Sequence, residues 1–158
     1  MSKRSWILLI FTIISGVAGT LMLPEVRTFL GLDSKPSFDL NGEWKLVNTI
    51  EKTSYSPHRN LVLGYRLFIK QAQRELTADG EKTWENGESL PPAGRTAIHL
   101  TGSIDGETLI ATFVEDGALR ETNGSVVWRI QKRGKRLTGT FKSTAANSSG
   151  TSIATKVP

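Results

Sequence analysis

The sequence predicts an all-β domain, an eight-stranded antiparallel up-and-down barrel, preceded by one N-terminal transmembrane helix. Three observations carry this expectation. An uncharged apolar run opens the chain, hydrophobic residues alternate with period two after Phe38, and turn dipeptides divide that alternating part into eight segments joined mostly by short links. The implied organisation is an anchor over residues 1–23, a juxtamembrane connector over 24–37, and the barrel over 38–158.

The run from Trp6 to Leu23 reads WILLIFTIISGVAGTLML. At helical rise, about 18 residues span roughly 27 Å, enough for the hydrocarbon core of a bilayer. Trp6 lies where an interfacial aromatic belongs, Lys3 and Arg4 form a basic flank, and Pro24 ends the helix. A cleaved signal peptide is the competing reading, with Ser15 to Gly19 supplying small residues near a cleavage site; apolar residues that continue to Leu23 favour a retained anchor. Lys3, Arg4 and the free amine favour a cytoplasmic N-terminus, so the expected location is a single-pass inner-membrane protein with its barrel outside the cytoplasm. Arg27 and Lys35 pull the other way. Ser15-xxx-Gly19 and Gly16-xxx-Thr20 fit the small-residue spacing through which membrane helices pair, so homo-oligomerisation through this helix is one expectation.

Composition narrows the function classes. The 158 residues contain no cysteine, which excludes disulfides, thiolate metal sites and a lipidated N-terminal cysteine. The formal charge is +5, yet setting aside Lys3, Arg4, Arg27, Lys35, Glu25 and Asp33 leaves 16 basic and 13 acidic residues. A balanced domain of this kind has no electrostatic footprint for a nucleic-acid polymer.

In the connector, Val26, Phe29, Leu30 and Leu32 suit a short amphipathic segment, and Ser34-Lys35-Pro36 a hinge. The expected strands then run over 42–50, 61–71, 75–85, 95–104, 107–115, 119–131, 136–143 and 152–157. Asp105-Gly106 is the strongest hairpin signal, Lys132 to Lys135 a basic tip, and Asn123-Gly124 a candidate bulge. Closure removes both unpaired edges, and eight strands leave an interior wide enough for side chains or one small ligand. A two-sheet sandwich is the rival, but only residues 52–60 and 86–94 approach the length of its crossovers.

Asn41-Gly42-Glu43-Trp44 at the start of the first strand resembles the Gly-x-Trp opening of lipocalin-type barrels. That lipocalin-like resemblance implies a Trp44 that plugs one end of the barrel against a late-strand arginine, Arg129 or Arg136. The layout of membrane helix, Phe29-Leu30-Gly31-Leu32, Asp39 to Trp44 and small barrel is also similar to membrane effectors of CBASS antiphage systems. This second resemblance implies a barrel that receives a cyclic dinucleotide and drives assembly in the inner membrane. That family carries two membrane helices, whereas this sequence has one candidate.

Catalytic groupings are sparse. His58 and His99 are far apart, and no metal-ligand spacing, nucleophile elbow or phosphate-cradling glycine loop is present, so no cofactor or metal is expected. Glu75, Asp79, Glu81 and Glu85 share one face if the third strand alternates without interruption, which reads as the outside of the barrel, with Leu76, Ala78 and Trp84 inside. A hydrolase using Glu81 or Glu85 is the enzymatic alternative.

Polar groups on apolar faces are the better clues. Asn48 continues the face of Trp44 and Leu46, Gln71 that of Tyr65, Leu67 and Ile69, and Glu115 that of Leu109, Ala111 and Phe113, with Arg120 across the Asp116-Gly117 turn. With Tyr55 from the long 53–60 loop and Trp128, these give a candidate ligand set of Asn48, Tyr55, Tyr65, Gln71, Glu115, Arg120 and Trp128. The bland reading of the strand-end groups is that they emerge into solvent. The expected function is a membrane-anchored, non-enzymatic binding or sensing module for a lipid-like or nucleotide small molecule; the alternative is the cyclic-dinucleotide effector.

Overall fold

The computed structural model describes residues 38–117 and 120–158; the expected anchor, connector and helix-pairing motifs lie outside these. Among the described residues no helix is long and apolar enough to cross a membrane.

The strands are β1 (Gly42–Lys52), β2 (Val62–Ala72), β3 (Glu75–Glu85), β4 (Glu88–Ser89), β5 (Ala97–Asp105), β6 (Thr108–Asp116), β7 (Glu121–Gln131), β8 (Arg136–Ser143) and β9 (Ser148–Lys156). Eight are barrel staves, and β4 is a two-residue spur on the end of β3. Every stave pairs antiparallel with its neighbours in sequence, and pairings of β1 with both β9 and β2 and of β2 with β3 complete the ring. The eight-stranded antiparallel closed barrel is therefore present, and the sandwich is excluded.

Alternation explains the core. Trp44, Leu46 and Ile50 of β1 are buried, as are Tyr65, Leu67 and Ile69 of β2, Leu109, Ala111 and Phe113 of β6, and Val126, Trp128 and Ile130 of β7. The staves run between two unlike ends. One carries the tight turns at Gln73-Arg74, Gly106-Glu107 and 132–135 and is stoppered by the entering chain. There Leu40 and Trp44 are fully buried, and the Trp44 indole N–H donates to the Leu40 carbonyl at 2.8 Å. Leu40 N–H donates to Gln71 Oε1 at 2.8 Å, and Gln71 N–H to Asn41 Oδ1 at 2.7 Å, which clamps the plug to β2. The Asp39 carboxyl is held below its ordinary value by the Asn41 backbone N–H first and the Asn41 amide second.

This plug corrects one expectation. Neither expected arginine hydrogen-bonds the Trp44 indole among the described residues: Arg129 is exposed beside Glu107, and Arg136 alternates outward from the buried Leu137. A backbone carbonyl four residues upstream serves the indole instead.

Two register shifts, both near the other end, re-aim side chains. Thr83 is an extra residue on β3, between the pairs Gly64↔Trp84 and Tyr65↔Lys82, and Glu51 is an extra residue on β1 beyond Ile50↔Gly150. The β3 bulge reverses the parity after Lys82. Trp84 thereby faces outward, not inward as alternation implies, and its ring lies over Gly64, where a Cβ would stand 1.9 Å from the indole. Asn123-Gly124, by contrast, passes through β7 in unbroken register. The last strand begins at Ser148 rather than Ser152, because small inward residues let β9 press against β1: a Cβ on Gly150 would lie 1.8 Å from the Thr49 carbonyl oxygen. Gly150→Ala is accordingly expected to cost about 1–3 kcal/mol, read as a lower denaturant midpoint at unchanged slope.

Candidate ligand cavity

The end opposite the plug is open. Around it lie residues 53–61, 86–96 and 144–147, with Gly117 and Arg120 from the β6–β7 link. Below them is a cavity of ≈ 470 Å³, within the usual range for small-molecule sites.

The cavity has two unlike walls. Ile50, Leu61, Leu63 and Phe141, from the β1–β2 region and β8, give hydrocarbon, with Phe113 on β6 adding a further ring. The polar wall comes from β3, β6 and the segment before β5. Glu115 is its centre: Tyr65 Oη donates to Oε2 at 3.1 Å, and Thr96 Oγ1 donates to Oε1 at 2.6 Å. Lys82 Nζ lies 3.7 Å from Glu115 Oε1 and 3.9 Å from Glu85 Oε2. The Lys82 and Glu115 side chains are only 18% and 14% exposed, so this pair is weakly screened compared with the surface pairs.

Burial above all, and then the Glu115 charge, pushes the Tyr65 phenol well above its ordinary value of 10.0. The folded state holds this proton more tightly than the unfolded chain. Its stabilising contribution is complete below the ordinary value and is lost as pH rises from there towards the folded value. In Tyr55→Phe, which leaves Tyr65 as the sole tyrosine, tyrosinate absorbance should appear at higher pH in buffer than in denaturant; coincident curves would contradict the buried hydrogen bond.

Asn48 is the other notable group. It is 5% exposed and lines the cavity, and its Oδ1 has no hydrogen-bond partner among the described residues. Its partner across the β1–β9 ladder is Ser152, whose Oγ accepts the Trp128 indole N–H at 2.9 Å. An orphaned buried amide oxygen is costly and therefore informative.

Of the seven candidates, Asn48, Tyr65, Glu115 and Arg120 line this one cavity. The other three are corrections to a single converging set. Gln71 lies at the plug, because β2 starts at the mouth and ends there. Trp128 is sealed in the core on Ser152. Tyr55 is 54% exposed on the loop, edge-on to His58, and it is His58 that reaches the cavity. The acid face of β3 also divides: the bulge turns Glu85 into the cavity, while Asp79 and Glu81 stay outside on His99 and Arg95.

Lys82 and Thr96 are cavity residues outside the candidate set, and Glu85, named only for the hydrolase alternative, joins them in the lining. Lys82 has the parity of Leu76 and Ala78, so a lone cation on an apolar face was the available signal. The loop of Tyr55 is fastened to its neighbour: Ser54 N–H and Oγ both donate to the Ala146 carbonyl at 2.8 Å, and Thr53 Oγ1 donates there at 3.2 Å. Among the described residues no group of three or more His, Asp or Glu side chains could hold a metal ion. No family model matches the chain, and no curated protein matches it.

Proposed function

We propose that this chain is a non-enzymatic binding module, anchored to a membrane through residues 6–23, whose lipocalin-like barrel holds one small, partly apolar ligand. The observation that carries the reading is the one-ended cavity lined by an almost fully buried Asn48 whose Oδ1 has no partner among the described residues. A barrel built only as a scaffold gains nothing from an orphaned amide, whereas a binding site gains orientation and selectivity from it.

The test is a thermal-shift screen of the full-length chain against neutral, anionic and cationic small molecules, with Ser143→Trp as a control that fills the mouth. A true ligand at a hundred times its dissociation constant stabilises by about 2.7 kcal/mol, and the control should abolish that shift. Absence of stabilisation across the screen, with the wild type and control indistinguishable, would remove the reading. The cyclic-dinucleotide effector makes a different forecast: stabilisation by a cyclic dinucleotide, accompanied by assembly through the N-terminal helix.

A further inference from the structure

Resting on that reading, we infer that the ligand is an uncharged molecule with an amide-type edge, a carbonyl acceptor beside an N–H donor, carried on a flat apolar body. The argument starts from charge. Two cations in the lining, Lys82 and Arg120, match two carboxylates, Glu85 and Glu115. A neutral ligand keeps this balance, whereas one carrying net charge would leave a charge uncompensated beside the partly buried Lys82 and Glu115.

Hydrogen-bond accounting then sets the polar edge. Glu115 is already engaged on both oxygens by Tyr65 and Thr96. Lys82 is not: its nearest carboxylates stand at 3.7 and 3.9 Å, beyond hydrogen-bond length, so an ammonium with three donors faces the cavity unsatisfied among the described residues. Glu85 has no hydrogen-bond donor on its carboxylate among the described residues; Lys82 at 3.9 Å is its ion-pair neighbour. The site thus offers one donor and one acceptor side by side on β3, turned to the same space by the Thr83 bulge.

Asn48 extends the pattern. It lines the cavity from β1, its Oδ1 is turned into the wall without a partner among the described residues, and a half-turn of its amide would bring that oxygen to a ligand. An amide group is the complement of another amide, donor to acceptor in both directions. Phe113 and Phe141 supply the apolar surface on which a planar body rests.

Carbostyril, a neutral lactam fused to a benzene ring, is a suitable probe. Titrated calorimetrically into the full-length chain, it should bind about tenfold more tightly than N-methylcarbostyril, which lacks only the donor, because Glu85 would then be covered without a hydrogen-bond partner. Lys82→Met should weaken both compounds about tenfold, and Glu85→Met should collapse the ratio between them, with circular dichroism confirming that each variant is folded. Naphthoate or naphthylmethylammonium binding as tightly as carbostyril overturns the inferred chemistry but leaves a binding cavity in place. Equal affinity for carbostyril and its N-methyl derivative overturns the donor–acceptor edge. No heat from any of the four probes, with the broader screen also silent, removes the cavity's binding role itself.

Discussion

Trp44→Ala should lower the unfolding free energy by about 3–5 kcal/mol, the range for truncating a fully buried large aromatic. The indole is the floor of the plugged end, and its loss opens a void beneath Leu40. It also leaves the Leu40 carbonyl without its donor, which adds the cost of a buried unpaired acceptor. Trp44→Phe, which keeps most of the volume and loses only the N–H, should cost far less, about 1–2 kcal/mol. Urea unfolding of both variants separates packing from the hydrogen bond. If the two variants lose equal stability, the carbonyl rather than the packed volume dominates the plug.

Glu115→Ala should be the most damaging change at the open end, at about 2–4 kcal/mol, since it strands the Tyr65 and Thr96 hydroxyls and leaves the Lys82 ammonium with Glu85 alone at 3.9 Å. The partial exposure of Lys82 keeps the figure below that of a fully buried pair. Tyr65 should then ionise at lower pH than in the parent while remaining above the ordinary tyrosine value, because burial, the larger cause, is untouched. Lys82→Met in the same background should recover part of the lost stability by removing the stranded charge. A Glu115→Ala variant as stable as the parent would mean that water serves these three groups as well as the carboxylate does.

Much of the barrel was legible because its staves obey one rule. Trp44-Leu46-Asn48, Leu109-Ala111-Phe113 and Tyr65-Leu67-Ile69 alternate without interruption, and the hairpin signal at Asp105-Gly106 marks a real turn, centred one residue later on Gly106-Glu107. The errors fall where the period slips by one. Trp84 and Glu85 exchanged faces because Thr83 bulges, and the only local hint is the glycine opposite, Gly64, which leaves room for an indole on the outside. The start of β9 was obscured by its small residues: Ser148 and Gly150 look like a polar loop yet, like Ser152, face inward where two strands crowd together. Gln71 could not be separated from Asn48 by alternation, since period two tells inside from outside but not one end of a cylinder from the other. That distinction required knowing which connections are tight turns and which are long.

The sidedness of the cylinder bears on how a cargo reaches it. The described chain enters at Phe38 beside the Trp44 stopper, while the vestibule above Asn48 opens at the far rim. On the proposed binding role a cargo thus has one way in, and the fastening of the entering segment does not stand across it.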